Sequence, residues 1–209
     1  VSQQRFRRPA MLDQQTAEAI PGGVDPALLP EVAHTTAAAI VHGARAQDDP
    51  ELVDRLVRLV ETEGLDVVAS MWADSPPNTL PGALWRLYVL REWVRRDPAT
   101  LAARYLTGIQ AAPVHEAVAG VASPPGPAEL KDLADAVLSG VFRGDLDVAL
   151  ERAAAFCRVL AAGVALDADE HEASDERRAA DQTRGAASLL RTAEELEHCA
   201  VLWRAERLD

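Results

Sequence analysis

Leu80 to Pro98, LPGALWRLYVLREWVRRDP, constrains the fold more than any other stretch, because it places two of the four tryptophans and one of the two tyrosines between two prolines. Pro81 is tolerated in a first helical turn, where its missing N–H would have had no intrahelical acceptor, and Asp97-Pro98 ends the segment. Between those limits Leu84, Trp85, Leu87, Tyr88, Val89, Leu90, Trp93 and Val94 cover almost the full circumference of a helix. A helix that is apolar all round is one surrounded by other elements. This segment is therefore expected to be the centre of the core, with Trp93 inside it.

The composition around it favours helices. The chain is 48% hydrophobic but only 4% aromatic, and much of the difference is alanine, the best helix former and a poor strand former. The fold expected is all-α: a multi-helix bundle with an N-terminal irregular arm and a C-terminal antiparallel helical hairpin. At 209 residues it can bury a core without metals or disulfides.

Pro9, Pro21, Gly22-Gly23, Pro26 and Pro30 make residues 1–30 the arm, which has few large apolar side chains of its own and needs a surface to dock on. Helices are predicted over 31–46, 51–63, 65–73, 80–97, 99–109 and 113–120, separated by Asp48-Asp49-Pro50, Gly64, Ser75-Pro76-Pro77-Asn78 and Pro98. In the second of these, Leu52, Val53, Leu56, Val57 and Val60 share a face directed at the Trp85/Trp93 helix. Three prolines and a glycine make 123–127 a connector. It separates a 31–122 helical subdomain from a 128–209 one, or bends one continuous domain. Beyond it, helices over 128–139, 145–165 and 175–207 follow. The last two carry facing stripes, Leu146, Leu150, Ala153, Cys157, Leu160 and Val164 against Leu189, Ala193, Leu196, Ala200 and Trp203, narrow seams suited to close antiparallel packing. The acid-rich segment 167–176 turns the hairpin, and its carboxylates suit the positive end of the last helix.

A net charge of −12 and a pI near 4.8 argue against broad nucleic-acid binding, which draws most of its affinity from phosphate neutralisation. A helix-turn-helix drawn through Leu52 to Trp72 fails on chemistry, since LDVVASMW offers no Arg, Lys, Asn or Gln to read bases. Three arginines at positions 5, 7 and 8 could touch phosphate or an acidic partner. Cys157 and Cys199 lie in apolar helical patterns without CxxC spacing, as free buried thiols of a reducing compartment do. No run reaches the roughly 20 apolar residues that span a bilayer, and the first thirty residues lack the apolar block of a signal peptide. The expected location is the cytoplasm, with no membrane association.

Two Glu-x-x-His patterns, Glu31/His34 and Glu195/His198, each place a carboxylate and an imidazole on one helix face, as in dinuclear carboxylate bundles. Those bundles also need a glutamate from each of two further helices, and here the first would have to be Glu18 in the arm. A divalent metal site built on these four residues is the chemical alternative to plain intrahelical pairing. Asp167, Asp169 and His171 lack the glycine and terminal glutamate of an EF-hand loop. On the central helix, Arg91 and Arg95 share a face and could clamp an anion or a partner, or pair with acids of a neighbouring helix. P-loop, GxGxxG, GxSxG, HExxH and zinc-ribbon patterns are absent from the sequence.

Through PGALWRLYVLREWVRRDP and AGVASPPGP the chain resembles uncharacterised all-helical proteins of high-GC bacteria, over most of its length. The resemblance implies a bacterial cytoplasmic setting and brings no catalytic residue, cofactor or function with it. The function expected from the residues is that of a non-enzymatic interaction or regulatory protein, with helical faces that bind a protein partner or a second copy of the chain, and no cofactor. A metal-dependent or anion-binding helical enzyme, using the paired Glu-x-x-His motifs or Arg91/Arg95, is the alternative.

Overall fold

The computed structural model describes residues 28–42, 65–120, 126–143, 145–171 and 175–209. Among them are eight helices and no strand: α1 (Leu28–His42), α2 (Leu65–Ser70), α3 (Leu80–Arg96), α4 (Pro98–Ile109), α5 (Pro113–Ala119), α6 (Pro127–Arg143), α7 (Leu146–His171) and α8 (Glu176–Arg204). The protein is all-α. The arm up to residue 27, the helix expected over 51–63 with its apolar face, and most of the 123–127 connector lie outside the described residues.

The breaks follow the local chemistry. Thr79 caps α3 by accepting the Gly82 N–H through its hydroxyl at 3.3 Å, and Asp97 takes two roles at the other end. Its N–H bonds to the Trp93 carbonyl, closing α3, and its carboxylate accepts the Thr100 N–H at 3.3 Å, opening α4. α1 begins at Leu28 rather than Glu31, because Pro30 then falls in the first turn, where proline loses nothing. α2 is shorter than expected: after Ser70 the chain tightens into i→i−3 bonds, Met71 N–H to Val68 and Trp72 N–H to Ala69. Trp72 is buried there, and its indole N–H donates to the Thr36 hydroxyl of α1 at 3.1 Å.

α7 and α8 form an antiparallel hairpin whose register is seen in the ion pairs that join the start and middle of α7 to the last turns of α8. Arg158 grips Glu197 through two bonds of 2.7 Å, and Arg204 reaches back to Asp147 and Glu151 at 2.8 and 2.6 Å. Every residue of the α7 stripe predicted from spacing is buried. In α8 the buried line runs through Ala179, Gln182, Ala186, Ala193, Leu196 and Ala200, with Leu189 and Trp203 on its flanks.

The most enclosed helix is α7, not α3. Ala153 to Cys157 are all buried, five consecutive residues, so every direction around the axis is covered. α7 packs on α4, α5, α6 and α8 and touches α3. With α4 it makes a backbone-to-backbone approach, where Gly108 and Gly163 face each other. A Cβ on Gly163 would overlap the Arg104 carbonyl oxygen, and one on Gly108 would overlap that of Val159. The two backbones therefore touch, with Tyr105 stacked on Phe156 beside them at 5.2 Å. α3 is buried through Leu80 to Leu84, Leu87 and Val94, whereas Trp85 and Trp93 are half-buried and Val89 is 43% exposed. Trp93 thus lies at the rim of the core, because small side chains, not large ones, let helices close around an axis. One hydrophobic cluster holds buried residues from both sides of the Pro/Gly connector, including Leu84, Leu101, Leu150 and Leu196.

Candidate binding groove between α3 and α8

Trp85, Val89 and Trp93 recur every four residues and so form a ridge along one side of α3. Opposite them α8 presents Gly185, Ser188, Leu189 and Thr192, mostly small or polar side chains that do not fill the space. Two adjoining clefts result, of about 840 and 440 Å³, which share Trp93, Ser188, Leu189 and Thr192. Together they make a groove with the α7 residues Val164 and Cys157 in its lining. Thr192 donates to the Ser188 carbonyl at 3.1 Å, as a hydroxyl in a helix commonly does.

Among the described residues one ion pair bridges the groove. Arg86 of α3 donates through Nε to Glu195 of α8 at 2.6 Å, and its Nη1 returns to the Gly82 carbonyl at 2.9 Å. Trp85 is held from behind by stacking on Tyr88 at 5.6 Å. The Tyr88 hydroxyl donates to Asp66 at 2.8 Å, and burial together with that carboxylate pushes its pKa up to about 12. At the wider end Arg104 of α4 pairs with Asp167 at 3.2 Å. There the Asp175 carboxylate caps α8 by accepting the Arg178 N–H at 3.1 Å, and Asp181 pairs with Arg184. Gln182 also lines this end. It is 8% exposed, and among the described residues neither its amide nitrogen nor its amide oxygen has a hydrogen-bond partner.

The two thiols are held away from the thiolate form. Burial pushes the Cys157 pKa up to about 12, and that of Cys199 to about 11, with the Cys199 Sγ–H directed at the Pro77 carbonyl at 3.2 Å. Both are neutral thiols at physiological pH, whereas attack requires the thiolate.

The residues singled out by spacing are distributed as follows. Glu31 is exposed on α1, and His34 lines a separate cleft of about 260 Å³ with Leu29, Met71 and Pro76. Glu195 is held in the α3–α8 groove by Arg86, while His198 is exposed on α8. One residue of each Glu-x-x-His pair thus lines a cleft, His34 one and Glu195 another, and no group of three metal-ligating side chains occurs among the described residues. Arg91 donates to Asp135 of α6 at 2.6 Å and to Glu92 at 2.8 Å, and Arg95 approaches the same Asp135 at 3.8 Å. Of the alternatives that their spacing left open, the described residues show the pairing with acids of a neighbouring helix. Of the acid-rich segment, Asp167 to His171 form the end of α7 and Asp175 caps α8.

Sequence spacing alone does not mark Gln182, Gly185, Ser188 or Thr192. One signal was available: Gln182 lies in phase with Ala179, Ala186 and Ala193, a polar residue inside an apolar stripe. Among the described residues, no helix is long and apolar enough to cross a membrane. Fold and groove together define the class, an all-α protein with an open cleft beside its most enclosed helix. No protein-family profile matches the chain, and neither the curated proteins nor the solved structures contain a match.

Proposed function

We propose that the chain is a non-enzymatic interaction protein whose α3–α8 groove receives a segment of a protein partner. The observation that carries this reading is the pair of adjoining clefts with half-buried Trp85 and Trp93, exposed Val89 and Leu189 along their walls. Aromatic side chains that are rigid and partly desolvated before binding are the usual anchors of protein interfaces. The chemistry of the groove supports binding over turnover. Its carboxylates are engaged, Glu195 by Arg86, Asp181 by Arg184 and Asp175 by the Arg178 backbone N–H, its thiol is protonated, and its hydroxyls have no histidine beside them in the lining. The free thiols Cys157 and Cys199 fit a reducing compartment, in keeping with a cytoplasmic setting.

Site-specific photocrosslinking tests the reading. A photoreactive phenylalanine analogue at Val89, on the groove wall, is compared in a host lysate with the same group at Val114, which is 72% exposed and lines neither cleft. A discrete protein adduct at Val89, absent at Val114 and lost on Leu189→Glu, is the expected result. Equal labelling at both positions, or adducts insensitive to Leu189→Glu, would remove the groove from the function.

A further inference from the structure

Resting on the groove reading above, the charges around the clefts say what kind of segment fits. Arg86 is matched by Glu195, Arg104 by Asp167 and Asp181 by Arg184, and the Asp175 carboxylate accepts a backbone N–H of α8. Arg177, Arg178 and Arg191 remain, all exposed and all in the lining, and none has an ion-pair partner among the described residues. The unmatched charge of the groove, three arginines against the single carboxylate of Asp175, is thus net positive on a chain whose net charge is −12. Arg177 and Arg178 stand in the first turn of α8, whose positive dipole end is already occupied by the capping Asp175 and by Glu176, so what the two guanidinium groups add there is exposed positive charge facing the groove. The general negative charge of the chain does not oppose this at contact range, because physiological salt screens exposed charges beyond about 8 Å.

Shape narrows the choice further. The α8 wall from Asp175 to Glu195 is roughly 20 residues, about 30 Å long at about 1.5 Å per residue. The four-residue ridge Trp85, Val89, Trp93 accepts side chains at helical spacing, and at Gly185 an added Cβ would meet only Val164, at 4.0 Å, so another helix can approach closely there. Gln182 adds an independent sign of incompleteness: a buried amide with neither atom paired is costly in the free protein, and an occupant offering a donor or acceptor relieves it.

We propose that the partner segment is an acidic amphipathic helix, with apolar residues at i, i+4 and i+7 seated between α3 and α8 and Asp or Glu residues facing Arg177, Arg178 and Arg191. Such a helix would complete a packed layer of α3, α8 and the ligand over α7, in the helix-in-groove mode of recognition.

The test pans a displayed library of random 16-residue peptides against the full chain and measures the enriched sequences as synthetic peptides by tryptophan fluorescence. Enrichment of net-acidic peptides with helical apolar periodicity is expected. Their affinity should fall about tenfold or more in the triple variant Arg177→Glu, Arg178→Glu, Arg191→Glu, mostly through a slower, salt-sensitive association, and should be unchanged in Arg207→Glu, which lines neither cleft. All these arginines are exposed, and thermal melting checks that each variant stays folded. Enriched peptides that are neutral or basic, yet are lost on Leu189→Glu, would overturn the acidic-helix proposal and leave the groove reading standing. Peptides indifferent to Leu189→Glu, or no enrichment at all, would overturn both.

Discussion

α7 meets its neighbours in two contrasting ways. Against α4 it is closed: Gly108 and Gly163 bring the backbones together, Tyr105 stacks on Phe156, and no space remains for a single added carbon. Toward α3 it is open, since the tryptophans of α3 stop short of α8 and leave a groove walled by Ser188, Leu189 and Thr192. The contrast teaches that what closes a helix pair is a backbone approach point rather than side-chain bulk. Facing glycines bring α4 and α7 together with Tyr105 and Phe156 packed beside them, whereas Trp85 and Trp93, with no such approach point opposite, stand along an open wall.

The sharpest way to break that comparison is to add one methyl group to the closed side. Gly163→Ala should cost about 3 kcal/mol or more and Gly108→Ala a similar amount, because a backbone carbonyl cannot rotate away as a side chain can. Urea unfolding would check this, and a cost below about 1 kcal/mol would mean that α4 and α7 do not touch as described. The open side should respond less. Leu160→Ala, at a fully buried position of α7, should cost about 2 to 5 kcal/mol. Trp93→Ala, though it removes a larger side chain, should cost roughly half the 3 to 5 kcal/mol of a core aromatic, as a half-buried rim residue would. If Trp93→Ala is the more damaging of the two, the groove is in truth filled.

Gln182→Met should act in the opposite direction. Replacing an unpaired buried amide by a side chain of similar volume should raise stability by about 1 kcal/mol, read as an upward shift of the melting midpoint. A loss instead would indicate that the amide has a partner. The smallest effect concerns the polar border of the hairpin. The Arg158 guanidinium, through its hydrogen bonds and charge, holds the Glu197 carboxyl below its ordinary range. A depressed carboxylate stabilises the fold above its unfolded pKa, and that contribution disappears as pH falls through the folded value. Glu197→Gln should thus lose a few tenths to about 1 kcal/mol at pH 7, given the 42% exposure of the Glu197 side chain, and the gap to the parent should close on acidification below about pH 4.

Helix boundaries were largely legible because prolines, glycines and capping residues act locally. Asp97-Pro98 separates α3 from α4 wherever the surrounding chain goes, and Thr79 caps α3 with its own hydroxyl. The α7 stripe was legible for a related reason: a buried seam at spacings of three and four leaves a periodic trace in the sequence. The identity of the central helix was not legible. An all-round apolar pattern in α3 records which side chains avoid water, and says nothing about whether neighbours close around them or stop at their edges. Gly108 and Gly163 left no trace either, since an isolated glycine in a helix looks the same whether it faces solvent or another backbone.

Of the groove, the sequence held the parts without their assembly. Trp85, Val89 and Trp93 could be placed on one ridge of α3, and Gln182 was out of character with its alanine stripe. The pairing of Arg86 with Glu195, which engages half of one proposed metal motif, joins residues more than 100 positions apart. The convergence of Arg91 and Arg95 on Asp135 also depends on where α6 lies. The sequence by itself determined that this chain is helical, where most of its helices begin and end, and which faces of the hairpin meet. Only the tertiary structure decided that α7 is enclosed while α3 borders an open groove, because helices form from contacts within a few residues and grooves from the distances at which separate helices come to rest.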